Sequence, residues 1–386
     1  MNIQYPTRNV QSPSGMRFGT MQPIVIALFT LFLLKPTWAS YSRLSKMLGE
    51  GNISSQLALS SSTMEDVGLE KDAVKTAERF KRAAEQGLAE SQYNLGVCYV
   101  KGIGVEVDLE KAAEWYGKAA EQGFAQAQYT FGYCHLLGGG VNKDVVKAIS
   151  WFKKAAGQGL AQAQHILGIC YSEGIVVEKD TQKAIEWIKK AAEQKDAKAQ
   201  YSLGECYEYA EGVKKDFAKA VEWYKKAAEQ GLAEAQYELG VHYHTGEGVK
   251  QNLTASIAWH RKAAEQGFAE SQYILGSRFL TGTGVNRNSA EAMKWFNLAA
   301  RQGHAQAQYN LGIFYLRGDG VGKDPARAVL WFRRAAEQGD VNAQYNLALC
   351  YINGNGVDKD PAKAIGWFRK AAEQGDGEAQ KRLKEL

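Results

Sequence analysis

The chain has 386 residues, 45% of them hydrophobic and 23% charged, a composition that excludes bulk disorder away from the ends. Its formal charge of +5 owes much to the first 39 residues, which hold Arg8, Arg17 and Lys35 and no Asp or Glu; the remainder carries 44 basic against 42 acidic side chains. So even a balance asks for neither nucleic acid nor an anionic membrane as partner.

At the N-terminus, Ile24 to Leu34 is apolar except for Thr30, follows Arg8 and Arg17, and precedes the small-x-small site Thr37-Trp38-Ala39. That order predicts a signal peptide over residues 1–39, cleaved after Ala39, with export to a periplasmic or extracellular location; Met16 is an alternative start. The competing reading is an uncleaved anchor in the inner membrane, which would be the chain's one membrane contact. A span needs roughly 20 apolar residues, and Pro23 and Gln22 close the run upstream. Residues 40–70 follow, with Ser40, Ser42, Ser45, Ser54 and Ser55 among Gly49 and Gly51, as expected of a flexible linker.

Beyond the linker the sequence repeats. Ala-Ala-Glu-Gln begins at Ala83 and its slot returns every 36 residues, at Ala119, Ala155, Ala191, Ala227, Ala263, Ala299, Ala335 and Ala371, only Gly157 and Arg301 changing the spelling. A fixed period of about 20 to 50 residues marks a solenoid, in which each unit buries its apolar face against its neighbours.

Within one unit, Glu90 to Val100 places Tyr93, Leu95, Gly96 and Tyr99 on one side of a helix, A. Gly102-Ile103-Gly104 then breaks it, because glycine tolerates the positive φ of a tight reversal. Asp108 stands where a second helix, B, needs an N-cap. The position recurs as Asp72, Asp144, Asp180, Asp216, Asn252, Asn288, Asp324 and Asp360, with Pro325 and Pro361 one residue later. Helix B carries Ala112, Trp115, Tyr116, Ala119 and Ala120 and ends at Gly123.

Tryptophan recurs at Trp115, Trp151, Trp187, Trp223, Trp259, Trp295, Trp331 and Trp367, and this slot is predicted to anchor the core. Arg79 fills it in the first half-unit and marks an exposed end. Helix A repeats Gly96, Gly132, Gly168, Gly204, Gly240, Gly276 and Gly312, then Ala348. A glycine inside a helix costs up to about 1 kcal/mol against alanine, so its recurrence predicts a close helix approach, and Gly240→Leu should damage the packing. Glu378, Lys381, Arg382, Lys384 and Glu385 form a polar lid on the last unit.

These residues resemble the Sel-one-like repeat family, relatives of the tetratricopeptide repeat. The resemblance is carried by Ala127-Gln128-Tyr129 with Gly132, the turn Gly102-x-Gly104-Val105, the step from Asp108 to Ala112, and Trp115-Tyr116 leading to Ala119-Ala120-Glu121-Gln122-Gly123. It covers residues 71–386, about eight full repeats plus partial capping helices. It implies an all-α fold, a right-handed α-solenoid of antiparallel helix pairs with a 36-residue repeat. It also implies scaffolding of protein complexes, in bacterial envelope or host-interaction systems or in endoplasmic-reticulum quality control, and it brings no catalytic set. Departures cluster near 174–212, where Ile175-Val176, Lys195-Asp196 and Ala210 replace the usual glycines, and a kink or altered curvature is expected there.

Candidate chemistry dissolves into the repeat. Cys98, Cys134, Cys170, Cys206 and Cys350 share a slot that His242, Arg278 and Phe314 fill elsewhere. Equivalent positions in stacked units lie roughly 9–10 Å apart or more, beyond the usual disulfide span of about 7 Å, so small buried thiols are expected. Their free state sits awkwardly with an oxidising compartment. His165, His135 and His260 replace repeat aromatics, and His242 with His244 has the wrong spacing for a metal pair on a helix. No cofactor and no metal is expected.

Function is therefore sought in a surface. Asn94, Thr130, Ile166, Ser202, Glu238, Ile274, Asn310 and Asn346 vary within one helix A slot, and Val97, Tyr133, Ile169, Glu205, Val241, Ser277, Ile313 and Leu349 within another. Variation inside a fixed unit is where specificity resides without disturbing the stack. These sixteen residues are the expected contacts of a non-catalytic scaffold for an unknown protein or peptide. The alternatives are an envelope enzyme acting on peptidoglycan or β-lactams and a host-interaction factor.

Overall fold

The computed structural model describes residues 73–386, so the expected signal peptide, the linker and the Asp72 cap lie outside the described residues. Among the described residues every regular element is a helix. After α1 (Ala73–Glu85) come A–B pairs: α2 (Ala89–Lys101) with α3 (Leu109–Glu121), α4 (Ala125–Leu137) with α5 (Val145–Gly157), α6 (Ala161–Glu173) with α7 (Thr181–Glu193), α8 (Ala197–Tyr209) with α9 (Phe217–Glu229). The series continues through α10 (Ala233–Thr245) with α11 (Leu253–Glu265), α12 (Ala269–Thr281) with α13 (Ser289–Arg301), α14 (Ala305–Arg317) with α15 (Pro325–Glu337), α16 (Val341–Asn353) with α17 (Pro361–Glu373), and ends at α18 (Gly377–Glu385). Each helix packs on the next, and short links make neighbours antiparallel, as expected for an α-solenoid. The A helices α6 and α8 also touch directly.

The local code works as read. The Lys111 amide donates to Asp108 Oδ1 at 2.9 Å, and the same cap opens every B helix from α3 to α17. A second set of caps was not foreseen: the Ala199 amide donates to Asp196 at 2.8 Å, and Asp340 and Asp376 act alike on α16 and α18. At the A-to-B turn, Gly102 and Gly104 have φ of 71° and 68°, and a Cβ on Gly104 would collide with the Ala73 carbonyl.

The irregular stretch keeps this geometry. Val176, Lys195 and Ala210 adopt φ of 59°, 67° and 62°, the positive values that glycine supplies in other units. Helices α6, α7 and α8 retain the common length of 13 residues. Three side-chain-bearing residues thus hold left-handed backbone here, which costs roughly 1–2 kcal/mol each.

The core corrects the role given to tryptophan. Of the eight, Trp295 is buried and the other seven are half-buried. The residue after each Trp is the true anchor: Tyr116, Phe152, Tyr224, Phe296 and Phe332 are 0% exposed. Each lies under the helix A glycine of its unit, so a Cβ on Gly96 would sit 2.6 Å from the Tyr116 ring and one on Gly240 would sit 2.8 Å from that of His260. Tryptophan instead covers the rim, capped by a cation three residues on, from 3.6 Å for Lys226 over Trp223 to 4.8 Å for Arg334 over Trp331. At Trp295 that cation is replaced by Leu298.

Glutamine joins one unit to the next. Gln236 on α10 donates to the Ala228 carbonyl at the end of α9, and its own amide oxygen accepts from Gln266, just past α11, at 2.8 Å. The clip recurs in every unit from Gln92 with Gln122 to Gln344 with Gln374.

Candidate interaction surface

The sixteen variable positions all fall on A helices, but they are unequally open. Val97, Thr130, Tyr133, Ile166, Ile169, Ile313 and Asn346 are buried, and Asn94, Ser202, Glu205, Glu238, Val241, Ile274, Ser277, Asn310 and Leu349 are half-buried. The distribution follows the chain: both slots are closed on α4 and α6, and both are partly open on α8, α10 and α12. Four of the open polar residues are already engaged, Ser202 with His165 Nε2 at 3.0 Å, Asn310 with the Gln306 carbonyl at 2.9 Å, Glu205 with Tyr201 and Ser277 with Tyr273. Thr130 Oγ1 is buried without a hydrogen-bond partner.

The open section carries a group of ionisable side chains that reading slot by slot did not assemble. Tyr224 of α9 donates to Glu208 Oε2 at 2.7 Å, and His242 Nε2 of α10 lies 3.5 Å from the same oxygen. His242 Nδ1 is 2.9 Å from the Glu247 carbonyl, so the ring is held on both sides. Glu205 and Glu238 lie one turn away on the same helices, with no ion pair among the described residues. Burial pushes the Glu205 carboxyl up to about 8, its bond to Tyr201 being outweighed, and burial with the Glu208 charge pushes Glu238 up to about 7. Burial would also raise Glu208, but hydrogen bonds from His242 and Tyr224 outweigh it and hold that carboxyl below its usual range. Burial alone would lower His242, but bonding to Glu208 raises it.

The five cysteines are free and buried, and burial pushes their thiols up, Cys98 and Cys350 to about 11 and Cys134, Cys170 and Cys206 to about 12. They pack as small apolar groups and are far from nucleophilic. Among the described residues no group of three or more His, Cys, Asp or Glu is placed to hold a metal ion, and no helix is long and apolar enough to cross a membrane.

The Sel1 repeat model matches nine consecutive units, from residues 53–88 through 341–376, with no gap between them. The chain belongs to the Sel1 repeat family. The first matched unit begins at residue 53, inside the stretch whose composition suggests a linker. Among solved structures, this Sel1 repeat protein is similar to a protective antigen present in uropathogenic Escherichia coli strains, displaying an SLR fold. Identity is 40% and the TM-score 0.71, over 80% of this chain and 66% of that one. It is also similar to a Sel1 repeat protein from Oxalobacter formigenes, at 32% identity and a TM-score of 0.60, over 95% of this chain and 98% of the other. No curated protein sequence matches. Sel1 repeat proteins are in general protein-interaction scaffolds.

Proposed function

We propose that this Sel1 repeat protein is a non-catalytic scaffold, exported to the envelope or beyond, that holds a partner protein or peptide on the A row where α8, α10 and α12 leave it open. The observation that carries this reading is the coincidence of two properties: side-chain identity changes from unit to unit in these slots, and here they are also accessible. A solenoid with an invariant frame and a varied row of half-buried side chains can select a partner without altering its own packing. Export is supported by the residues around Ile24 to Ala39. Complete burial of the thiols removes the objection that free cysteines raise for an oxidising compartment.

A photo-crosslinking residue in place of Ser277, on the open A row, is expected to capture a discrete partner in the native cell; the same residue in place of exposed Lys225 on α9 is not. Equal capture from both positions, or none from Ser277, would sink the surface assignment. Fractionating cells that express the chain with and without residues 1–39 tests export separately, because loss of the segment should retain the protein in the cytoplasm.

A further inference from the structure

We propose that the junction of α8, α9 and α10 is a proton-operated joint of the solenoid, closed when Glu205 and Glu238 carry protons beside the Glu208–His242 pair and loosened when they ionise. The geometry has three parts. Glu208 is a bracket: its carboxylate reaches α9 through Tyr224 at 2.7 Å and α10 through His242 at 3.5 Å. His242 is fixed against the rings of Phe217 and Tyr224, with centroids 6.0 and 5.7 Å away, and by the Glu247 carbonyl at 2.9 Å. Glu205 and Glu238, one turn from Glu208 and His242 on the same helices, then add two further carboxyl groups that no lysine or arginine among the described residues pairs with, His242 being the one cation that acts on Glu238.

The groups facing this cluster make the imbalance plain. From α8 come Tyr201, Glu208 and Tyr209, and from the turn after it Glu211; from α9, Tyr224; from α10, Tyr237 and His242. On the α6 side His165 bonds Ser202 rather than Glu205, and from α11 the His260 ring lies under Gly240. The charged groups that act on Glu238 are Glu208 and His242, neither of them a lysine or arginine. In the unit before, the slots of Glu208 and His242 hold Ser172 and Cys206, so this combination is particular to the one joint.

The direction follows from linkage. Glu205 and Glu238 have folded values above the ordinary carboxyl value, so the folded joint binds more protons than the unfolded chain between about pH 4.5 and 8, and stability falls as pH rises through that window. His242 is raised as well, and its contribution is present below its ordinary value and lost as pH rises. All three groups therefore act with the same sign. Above the window three carboxylates and a neutral imidazole share one partly buried junction, and the Glu208 bracket loses its cation.

The test is amide hydrogen exchange on the full chain at pH 6.0 and 8.5, corrected for the intrinsic rate at each pH. Protection across α8 to α10 is expected to fall by at least about tenfold at the higher pH, while α14 to α16 stay level. Glu205→Gln with Glu238→Gln keeps the shape of the protonated groups and should remain protected at pH 8.5. The proposal is overturned if wild-type α8 to α10 are equally protected at both pH values, or if the double variant loosens as the wild type does. Circular dichroism of both proteins at pH 6.0 provides the common folded baseline.

Discussion

At the scale of the residue, the fold depends on pairs twenty positions apart: a glycine on helix A and the ring it admits on helix B. Gly132 admits Phe152, and a Cβ there would lie 2.6 Å from the ring. Phe152 is 0% exposed and has neighbours on every side, so it cannot swing away. Gly132→Ala would add helix propensity, worth up to about 1 kcal/mol, yet the overpacking penalty of about 1–3 kcal/mol is expected to win. Urea unfolding should show a lower midpoint, and a midpoint above wild type would mean that α4 and α5 separate more cheaply than their packing indicates. Tryptophan misled at this scale because two adjacent helical residues, about 100° apart, both fall within a broad apolar stripe. Ring size then favoured the larger. The constant offset from Gly96 to Tyr116 was the signal that named the buried one.

Helices and their connections were largely legible because the repeat has no insertions, so every cap, turn and stop was seen several times over. The A and B helices appear where Asp108, Gly102 and Gly123 place them, within a residue or two of the ends. What the pattern concealed lay between units. Glu208 and His242 are 34 residues apart, one period less two, and a slot-by-slot comparison never sets them side by side. The glutamine clips were equally hidden, since Gln122 was visible only as part of a repeated word. Gln272 shows their worth: it donates to the Ala264 carbonyl at 3.0 Å and accepts from Gln302 at 2.8 Å, and Gln302 donates in turn to the Gly267 carbonyl. Gln272→Ala takes one donor from the Ala264 carbonyl, which keeps the Gly267 amide, and removes the acceptor of Gln302, and is expected to cost about 1 kcal/mol. The loss should appear as earlier exchange of α11 to α13, and uniform weakening along the whole chain would contradict a local clip.

Considered whole, the molecule carries opposing responses to acid. Burial, with the Arg278 and His244 charges, pushes His260 down to about 3, and burial pushes His165 down to about 4. Both are neutral in the fold while the unfolded chain takes up protons below about pH 6.5, so stability drops as pH falls through that point. For His260, 1% exposed, the loss by pH 4 is about 3 kcal/mol. His260→Phe copies the aromatic of neighbouring units, and its melting temperature is expected to fall less between pH 6.5 and 4 than that of the wild type; an unchanged slope would exonerate His260. Together with the carboxyl groups of the α8–α10 joint, which weaken the fold as pH rises from about 4.5 to 8, this sets the greatest stability on the mildly acid side of neutrality.

The glutamine clips also determine how the chain would bear a load. Because each ties a unit to its neighbours and to nothing farther off, tension applied at the two ends meets a row of similar latches in series. They should yield singly, each rupture releasing one 36-residue unit, or about 120 Å of extended chain. Stretched between two attachments, such a protein would lengthen in equal steps and shorten again as the latches re-form, acting as an extensible tether whose reach is counted in units.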